Sequence, residues 1–264
     1  MLELREIYKT FNPNTINEKR ALNGLNLKLE EGDFVTVIGG NGAGKSTMLN
    51  AIAGAWPLDS GQVIIDGQDV TRLADYKRAA YLGRVFQDPM MGTAADMEIE
   101  ENLAAAYRRG TRRTLRWGIR AKEREEYRNL LRTLDLGLED RLRSKVGLLS
   151  GGQRQALTLL MATLKKPKVL LLDEHTAALD PKTAAKVLEI SDRIISENHL
   201  TALMITHNMK DAITYGNRLI MMNNGQIILD IRGEAKQKLT VDDLLHQFSL
   251  ASGSEFANDR ALLS

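Results

Sequence analysis

Residues 39–46 read Gly-Gly-Asn-Gly-Ala-Gly-Lys-Ser and follow directly on the apolar run Phe34–Ile38. Few short patterns constrain a fold as tightly. Glycines at 39, 42 and 44 allow a loop to turn its backbone N–H groups inward, where they cradle phosphate oxygens. Lys45 is placed to reach the β- and γ-phosphates of a nucleotide, and the Ser46 hydroxyl suits Mg²⁺, a hard cation that takes oxygen ligands. A helix after the loop adds its positive end to the same anion. The competing reading is a glycine-rich turn that matches by accident. At average residue frequencies that happens in a chain of this length about 1% of the time, and the strand before and helix after lower it further. The nucleotide-binding set from this stretch is Gly39, Asn41, Gly42, Gly44, Lys45, Ser46 and Thr47.

A phosphate loop between strand and helix predicts an α/β protein, and the other apolar runs agree. Residues 82–86, 169–172 and 202–205 are near-continuous in apolar side chains, as in a sheet covered on both faces. Amphipathic stretches lie between them. In one, Asp180 caps, Pro181 fits the first turn, and Val187, Ile190 and Ile194 share a face over residues 181–198. Residues 21–30 and 62–66, joined by Gly-containing turns, predict an N-terminal antiparallel β-subdomain. Asn223-Asn224-Gly225 signals a hairpin. Residues from about 89 to 149 read as an inserted helical subdomain. The whole reads as one domain over residues 1–250, with a small polar tail at 251–264 expected to be mobile.

Chemistry-bearing residues fall just past the ends of those strands. Asp173 and Glu174 follow residues 169–172, an arrangement in which Asp173 holds Mg²⁺ through water and Glu174 orients or deprotonates an attacking water. The plain alternative is a pair of surface acids after a core strand. Gln87 follows the run at 82–86, and His207 follows the run at 202–205 across Thr206. Each alone reads as a surface or core side chain. Together with the phosphate loop they share the carboxyl edge of a sheet, where open α/β sheets bind ligands. Leu149-Ser150-Gly151-Gly152-Gln153 precedes a helix and has two readings. One is an N-cap with a glycine linker; the other is a second phosphate site built from the Ser150 hydroxyl, glycine N–H groups and the helix N-terminus.

Composition removes other classes. The 36 basic and 34 acidic side chains give a net charge of +2, no general case for nucleic-acid binding. The absence of cysteine excludes disulfides and thiolate chemistry. No apolar run approaches the roughly 20 residues of a bilayer span, and charges in the first six residues do not fit a signal peptide. The expectation is a cytoplasmic protein that serves a membrane, if at all, through another chain.

The order of phosphate loop, Gln87, Leu-Ser-Gly-Gly-Gln at 149–153, Asp173-Glu174, Ala178-Leu179-Asp180 and His207 resembles the ATP-binding-cassette (ABC) ATPases over nearly the whole chain. The resemblance implies a P-loop NTPase core that binds Mg-ATP, with Ser46, Gln87 and Asp173 about the metal. Catalytic roles fall to Lys45, Glu174 and His207, the last on the γ-phosphate. Gln87 would sense Mg²⁺ and couple to a partner, and Asp180 would lie at a subunit junction. Phe11 matches the aromatic that stacks on adenine, with closure of the β-subdomain as its plain alternative. ATP would sit between the phosphate loop of one copy and Ser150, Gly151, Gly152 and Gln153 of a second. One phosphate loop and one signature per chain make a homodimer the simplest assembly.

Gly40 and His175 stand where proline is usual in that pattern. His175 reads either as a modulator of Glu174 and of pH response or, as favoured here, as a neutral substitution. Residues 87–93 would help form the groove that receives a membrane permease, with Met90, Met91 and Met97 either as adaptable contacts or as subdomain core. The basic run at 108–124 reads as a solvated face, or as a contact with anionic lipid or the partner. The closest group in resemblance is that of bacterial tryptophan/tyrosine transport ATPases, which work with a permease and an external binding protein at the cytoplasmic side of the membrane. Absence of heptad runs and of a second cassette sets aside the DNA-repair and translation members. A soluble ATPase of a non-transport assembly, such as an iron–sulfur scaffold, is the alternative.

Overall fold

A computed structural model describes residues 1–110 and 118–252. Its larger sheet has six strands: β3 (Phe34–Ile38), β6 (Leu82–Val85), β7 (Val169–Asp173), β8 (Ala202–Ile205), β9 (Arg218–Asn223) and β10 (Gln226–Arg232). They lie in the order β10-β9-β3-β8-β7-β6, all parallel except β10, which pairs antiparallel with β9. Side chains alternate across a strand, so a strand covered on both sides is apolar at every position. Leu170, Leu172 and Met204 enter one core cluster, while Val169, Leu171, Leu203 and Ile205 enter the other.

The smaller sheet is antiparallel, in the order β2-β1-β4-β5, with β1 (Leu2–Phe11), β2 (Lys19–Leu29), β4 (Ser60–Ile65) and β5 (Gln68–Asp69). Its central strand β1 carries no clean apolar alternation. A register shift between Leu4 and Ile7, with Glu6 at φ 46°, bulges the strand and displaces its buried residues by one. The bulge is accommodated by Gly61 on β4, where a Cβ would stand 2.3 Å from the Glu6 carbonyl oxygen. The β9–β10 hairpin turns through Asn224 (φ 46°) and Gly225 (φ 74°), the two left-handed residues that suit a tight turn.

Helix α1 (Lys45–Ala53) follows the phosphate loop, and α2 (Asp75–Arg78) precedes β6. Between β6 and β7 the described residues hold α3 (Ile99–Tyr107), α4 (Ala121–Arg132), a 3₁₀ turn at Val146–Leu148 and α5 (Gly151–Thr163), with one isolated bridge, Glu98–Lys145, and no strand. Helix α6 (Pro181–Asn198) starts where the Asp180 carboxylate accepts the Thr183 N–H at 3.1 Å, buries Val187, Ile190 and Ile194, and ends at His199 in the left-handed conformation. Helices α7 (Met209–Thr214), α8 (Gly233–Gln237) and α9 (Val241–Ser252) close the fold. Among the described residues no helix is long and apolar enough to cross a membrane.

Of the basic run, Arg112, Arg113 and Arg116 lie outside the described residues, as does the tail from residue 253. Arg108 pairs with Glu123 at 2.9 Å and Arg124 with Glu100 at 2.8 Å, so these two cations are engaged within the chain.

Candidate functional site

The phosphate loop occupies the turn from β3 into α1. Gly39 (φ 150°), Gly42 (φ 79°) and Gly44 (φ 100°) hold backbone conformations that disfavour side chains. At Gly44 a Cβ would also stand 2.4 Å from the Ala21 carbonyl oxygen, so the loop is pressed against β2. Lys45 is buried, 5% exposed, and its Nζ donates to the carbonyls of Gly39 at 2.8 Å and Gly40 at 3.1 Å. Burial lowers its pKa, opposed by the nearby Glu174 and Asp173 carboxylates.

A cleft of about 370 Å³ opens over this loop. Of the residues singled out in sequence, Phe11, Asn41, Gly42, Gly44, Lys45, Ser46, Thr47, Gln87, Glu174 and His207 line it. They come from the ends of β1, β3, β6, β7 and β8, and parallel pairing in the order β3-β8-β7-β6 brings the last four ends side by side. Glu174 has φ 46°, a strained conformation for a side-chain-bearing residue, fixed by its N–H donating to the Ile205 carbonyl at 3.1 Å. Its carboxylate Oε1 lies 2.6 Å from His207 Nε2. A carboxylate and an imidazole in contact beside a buried lysine can orient and deprotonate a water against a bound phosphate. Phe11 lines the cleft, braced edge-on by Trp56 at a 5.0 Å centroid distance and with Lys9 Nζ over its ring at 5.6 Å.

Asp173 does not line the cleft wall. It sits behind it, with Oδ2 3.6 Å from Arg84 Nη2. Burial raises the Asp173 pKa despite Arg84, and burial lowers that of Arg84. Arg84 also donates to Asn50 Oδ1 at 2.8 Å and lies over the Phe86 ring at 4.5 Å. Arg84 was not singled out, although a cation inside an otherwise apolar strand is a legible signal. Lys19 and Ala21, also on the cleft wall, carry no motif.

The residues of 150–153 and Asp180 lie away from the cleft of their own chain. Ser150 caps α5: its hydroxyl accepts from the Gln153 N–H at 3.3 Å, and Gln153 Oε1 accepts from the Ser150 N–H at 3.2 Å. Ser150 and Gly151 are exposed.

Among the described residues no group of three or more acidic, histidine or cysteine side chains is gathered for a metal. Ser46 and Gln87, which line the cleft, and Asp173, which does not, are the oxygen donors that would hold Mg²⁺, with the remaining ligands left to phosphate and water. That is the usual balance for Mg²⁺ at nucleotide sites.

His175 is fully buried, with Nε2 2.9 Å from Ser191 Oγ. Ser191 gives its single hydroxyl proton to the Val187 carbonyl at 2.8 Å, so the imidazole must donate and is the neutral Nε2–H tautomer. Burial lowers its pKa from 6.5 to about 4. The unfolded chain takes up a proton between those values that the folded chain refuses, so stability is present above pH 6.5 and lost as pH falls toward 4. The loss reaches roughly 3 kcal/mol. The stability of wild type, read from urea unfolding at each pH, should therefore fall more steeply across this window than that of His175→Gln; equal dependence on pH would show that His175 is not the titrating group.

The family model described as ABC transporter matches residues 22–177. The chain belongs to the ABC transporter family. It is an ATP-binding, ATP-hydrolysing cassette of that family. It is 46% identical over 252 residues to a tyrosine transport ATP-binding protein of Clostridioides difficile (strain R20291), covering 95% of this chain and 100% of that one. It is 35% identical over 234 residues to the spermidine/putrescine import ATP-binding protein PotA of Haemophilus influenzae, covering 87% of this chain and 57% of that longer protein. Among solved structures, a dimeric ATP-binding cassette in a post-hydrolysis state with ADP and Pi is similar, with a TM-score of 0.74 and 28% identity. That match covers 88% of this cassette and 98% of that chain.

Proposed function

We propose that this cassette, one ATPase domain over residues 1–250 with a helical subdomain at about 89–149, powers a bacterial amino-acid importer of the tyrosine or tryptophan type from the cytoplasmic side of the membrane. The observation that carries the ATPase half of this reading is the joining of Lys45, Glu174 and His207 at one cleft. The importer half is supported by likeness to the tyrosine transport ATP-binding protein over its full length.

In this reading ATP lies on the phosphate loop with its adenine against Phe11. Lys45 holds the β- and γ-phosphates. Ser46, Gln87 and Asp173 would hold Mg²⁺, which would supply charge neutralisation at those phosphates. Glu174 orients and deprotonates the attacking water, and His207 contacts the γ-phosphate and keeps the Glu174 carboxylate in place. Ser150–Gln153 and Asp180, remote from their own cleft and with Ser150, Gly151 and Asp180 exposed, act on the nucleotide of a second copy. ATP thus closes two copies on each other, and hydrolysis reopens them.

The motion reaches the permease through the segment after Gln87. Met90 and Met91 are 61% and 51% exposed, which fits a contact surface rather than subdomain core. Beside them a second cleft of about 360 Å³ is lined by Gly92, Ala105, Arg109 and Met161. An extracellular substrate-binding protein delivers the solute to the permease. The test is co-purification with a co-expressed polytopic membrane protein. Wild type should be retained in the membrane fraction, and Met90→Asp/Met91→Asp should be lost from it by at least about tenfold while still binding Mg-ATP. A wild-type chain that never leaves the soluble fraction would favour a scaffold ATPase instead.

A further inference from the structure

The nucleotide cleft has a cation that no motif predicts. Lys19 opens β2, directly opposite Phe11 in the β1–β2 register. Its side chain lines the cleft and leans on the phosphate loop, with Nζ 2.8 Å from where a Cβ on Gly42 would stand. Among the described residues Lys19 makes no ion pair with a carboxylate, although three other lysines or arginines of this sheet, Arg5, Lys9 and Lys28, each have one. The loop from Asn12 to Glu18 that carries it is tied down by its own bonds: Thr15 N–H to the Asn12 carbonyl at 3.3 Å and Glu18 N–H to the Thr15 carbonyl at 3.0 Å. The Glu18 carboxylate, the nearest acid in sequence, accepts from the Asn14 N–H at 2.8 Å.

We infer that Lys19 is a second nucleotide-binding cation, directed at the α-phosphate. The inference rests on the reading of the cleft as the ATP site. Adenine against Phe11 and the terminal phosphates against Lys45 leave the ribose and α-phosphate to cross the space between. Lys19 Nζ and the Gly42 backbone lie together on the border of that space. A lysine there adds a charge-assisted hydrogen bond to an oxygen common to every nucleoside di- and triphosphate. It strengthens binding without choosing a base and without touching the bond that breaks. The P-loop lysine acts on the transferring phosphoryl group; Lys19 acts on the part of the nucleotide that stays behind.

The experiment is equilibrium binding of Mg-ATP, Mg-ADP and Mg-GTP to wild type, Lys19→Ala, Lys19→Arg and, as a control, Lys45→Ala. Lys19→Ala should weaken all three nucleotides by about tenfold, the worth of one partly exposed charged hydrogen bond. It should raise KM for ATP with kcat at saturation unchanged, and leave the melting temperature as it was, because the side chain is exposed. Lys19→Arg should recover most of the affinity. A loss confined to Mg-ATP and Mg-GTP, with Mg-ADP spared, would overturn the inference by placing the ammonium on the γ-phosphate. So would undiminished binding in Lys19→Ala while Lys45→Ala fails to bind. Failure of wild type itself to bind Mg-ATP would instead remove the reading of the cleft.

Discussion

Glu174→Gln is expected to cut ATP turnover by at least about 100-fold, the lower end of what a positioned general base contributes, while leaving Mg-ATP binding intact. Glutamine keeps the side chain's length and retains a carbonyl oxygen for the His207 Nε2–H, now bonded to Glu174 Oε1 at 2.6 Å. What it loses is the ability to take a proton. The strained backbone at φ 46° is unaffected, since both side chains leave the Cα alike. Blocked hydrolysis should trap the closed state, so size-exclusion chromatography with light scattering should show an ATP-dependent shift from monomer to dimer. Normal turnover by the variant would sink the assignment of Glu174. A species unchanged by ATP would leave two explanations, a missing permease or a signature at 150–153 that is only a helix cap, and repeating the run with the co-expressed permease separates them.

Lys45→Ala should act earlier in the cycle, on binding. The Lys45 ammonium is nearly excluded from water and held by two carbonyls of its own loop, Gly39 and Gly40. In that setting its hydrogen bonds to phosphate are worth more than they would be at a surface. Losing two charged bonds at about 1.5 kcal/mol each predicts a loss of about 3 kcal/mol, or roughly 100-fold in affinity. Calorimetric titration with Mg-ATP measures it. An affinity within threefold of wild type, roughly 0.65 kcal/mol, would mean that Lys45 does not reach the phosphates. Reduced stability is a separate readout, because Gly39 and Gly40 would lose their donor.

Much of the architecture was legible because it follows from local chemistry. Strands covered on both faces are largely apolar, so Phe34–Ile38, with Thr36 hydrogen-bonded to the Ala212 carbonyl, and Ala202–Ile205 announced themselves. Helix α6 carried its cap, its N1 proline and its buried stripe in plain view. Strand β1 was not legible. Its bulge at residues 4–7 breaks the two-residue period, and only pairing with both β2 and β4 makes it the centre of a sheet. The cleft divided in the same way. Residues on glycine loops and at strand ends were found because their types are unusual at those places. Lys19 was missed because a lysine after a polar loop is ordinary in sequence, and only the Phe11–Lys19 register turns it toward the loop of glycines. Arg84 lies inside the near-continuous apolar run 82–86, where only the pairing of β6 with β7 brings it to Asp173.

His175 shows the limit of reasoning from a substitution. It stands beside the proposed base, yet its side chain points away to Ser191 on α6 and is neutral there. The pH response left open by its position reduces to one of stability, through burial rather than through Glu174.

Gly152, buried at the start of α5, faces Thr183 on α6 so closely that a Cβ would stand 2.0 Å from Thr183 Cγ2. Even alanine would force the threonine to rotate or the two helices to part. The second glycine of Ser-Gly-Gly is thus required by the chain's own interior, whatever docks outside. Only Ser150 and Gly151 remain turned outward, and there the nearest neighbour of an added Cβ is Leu179 at 3.2 Å. A pattern that looks like a ligand's imprint is therefore two demands written side by side: one glycine answers to architecture and the other is still at liberty to answer to a visitor.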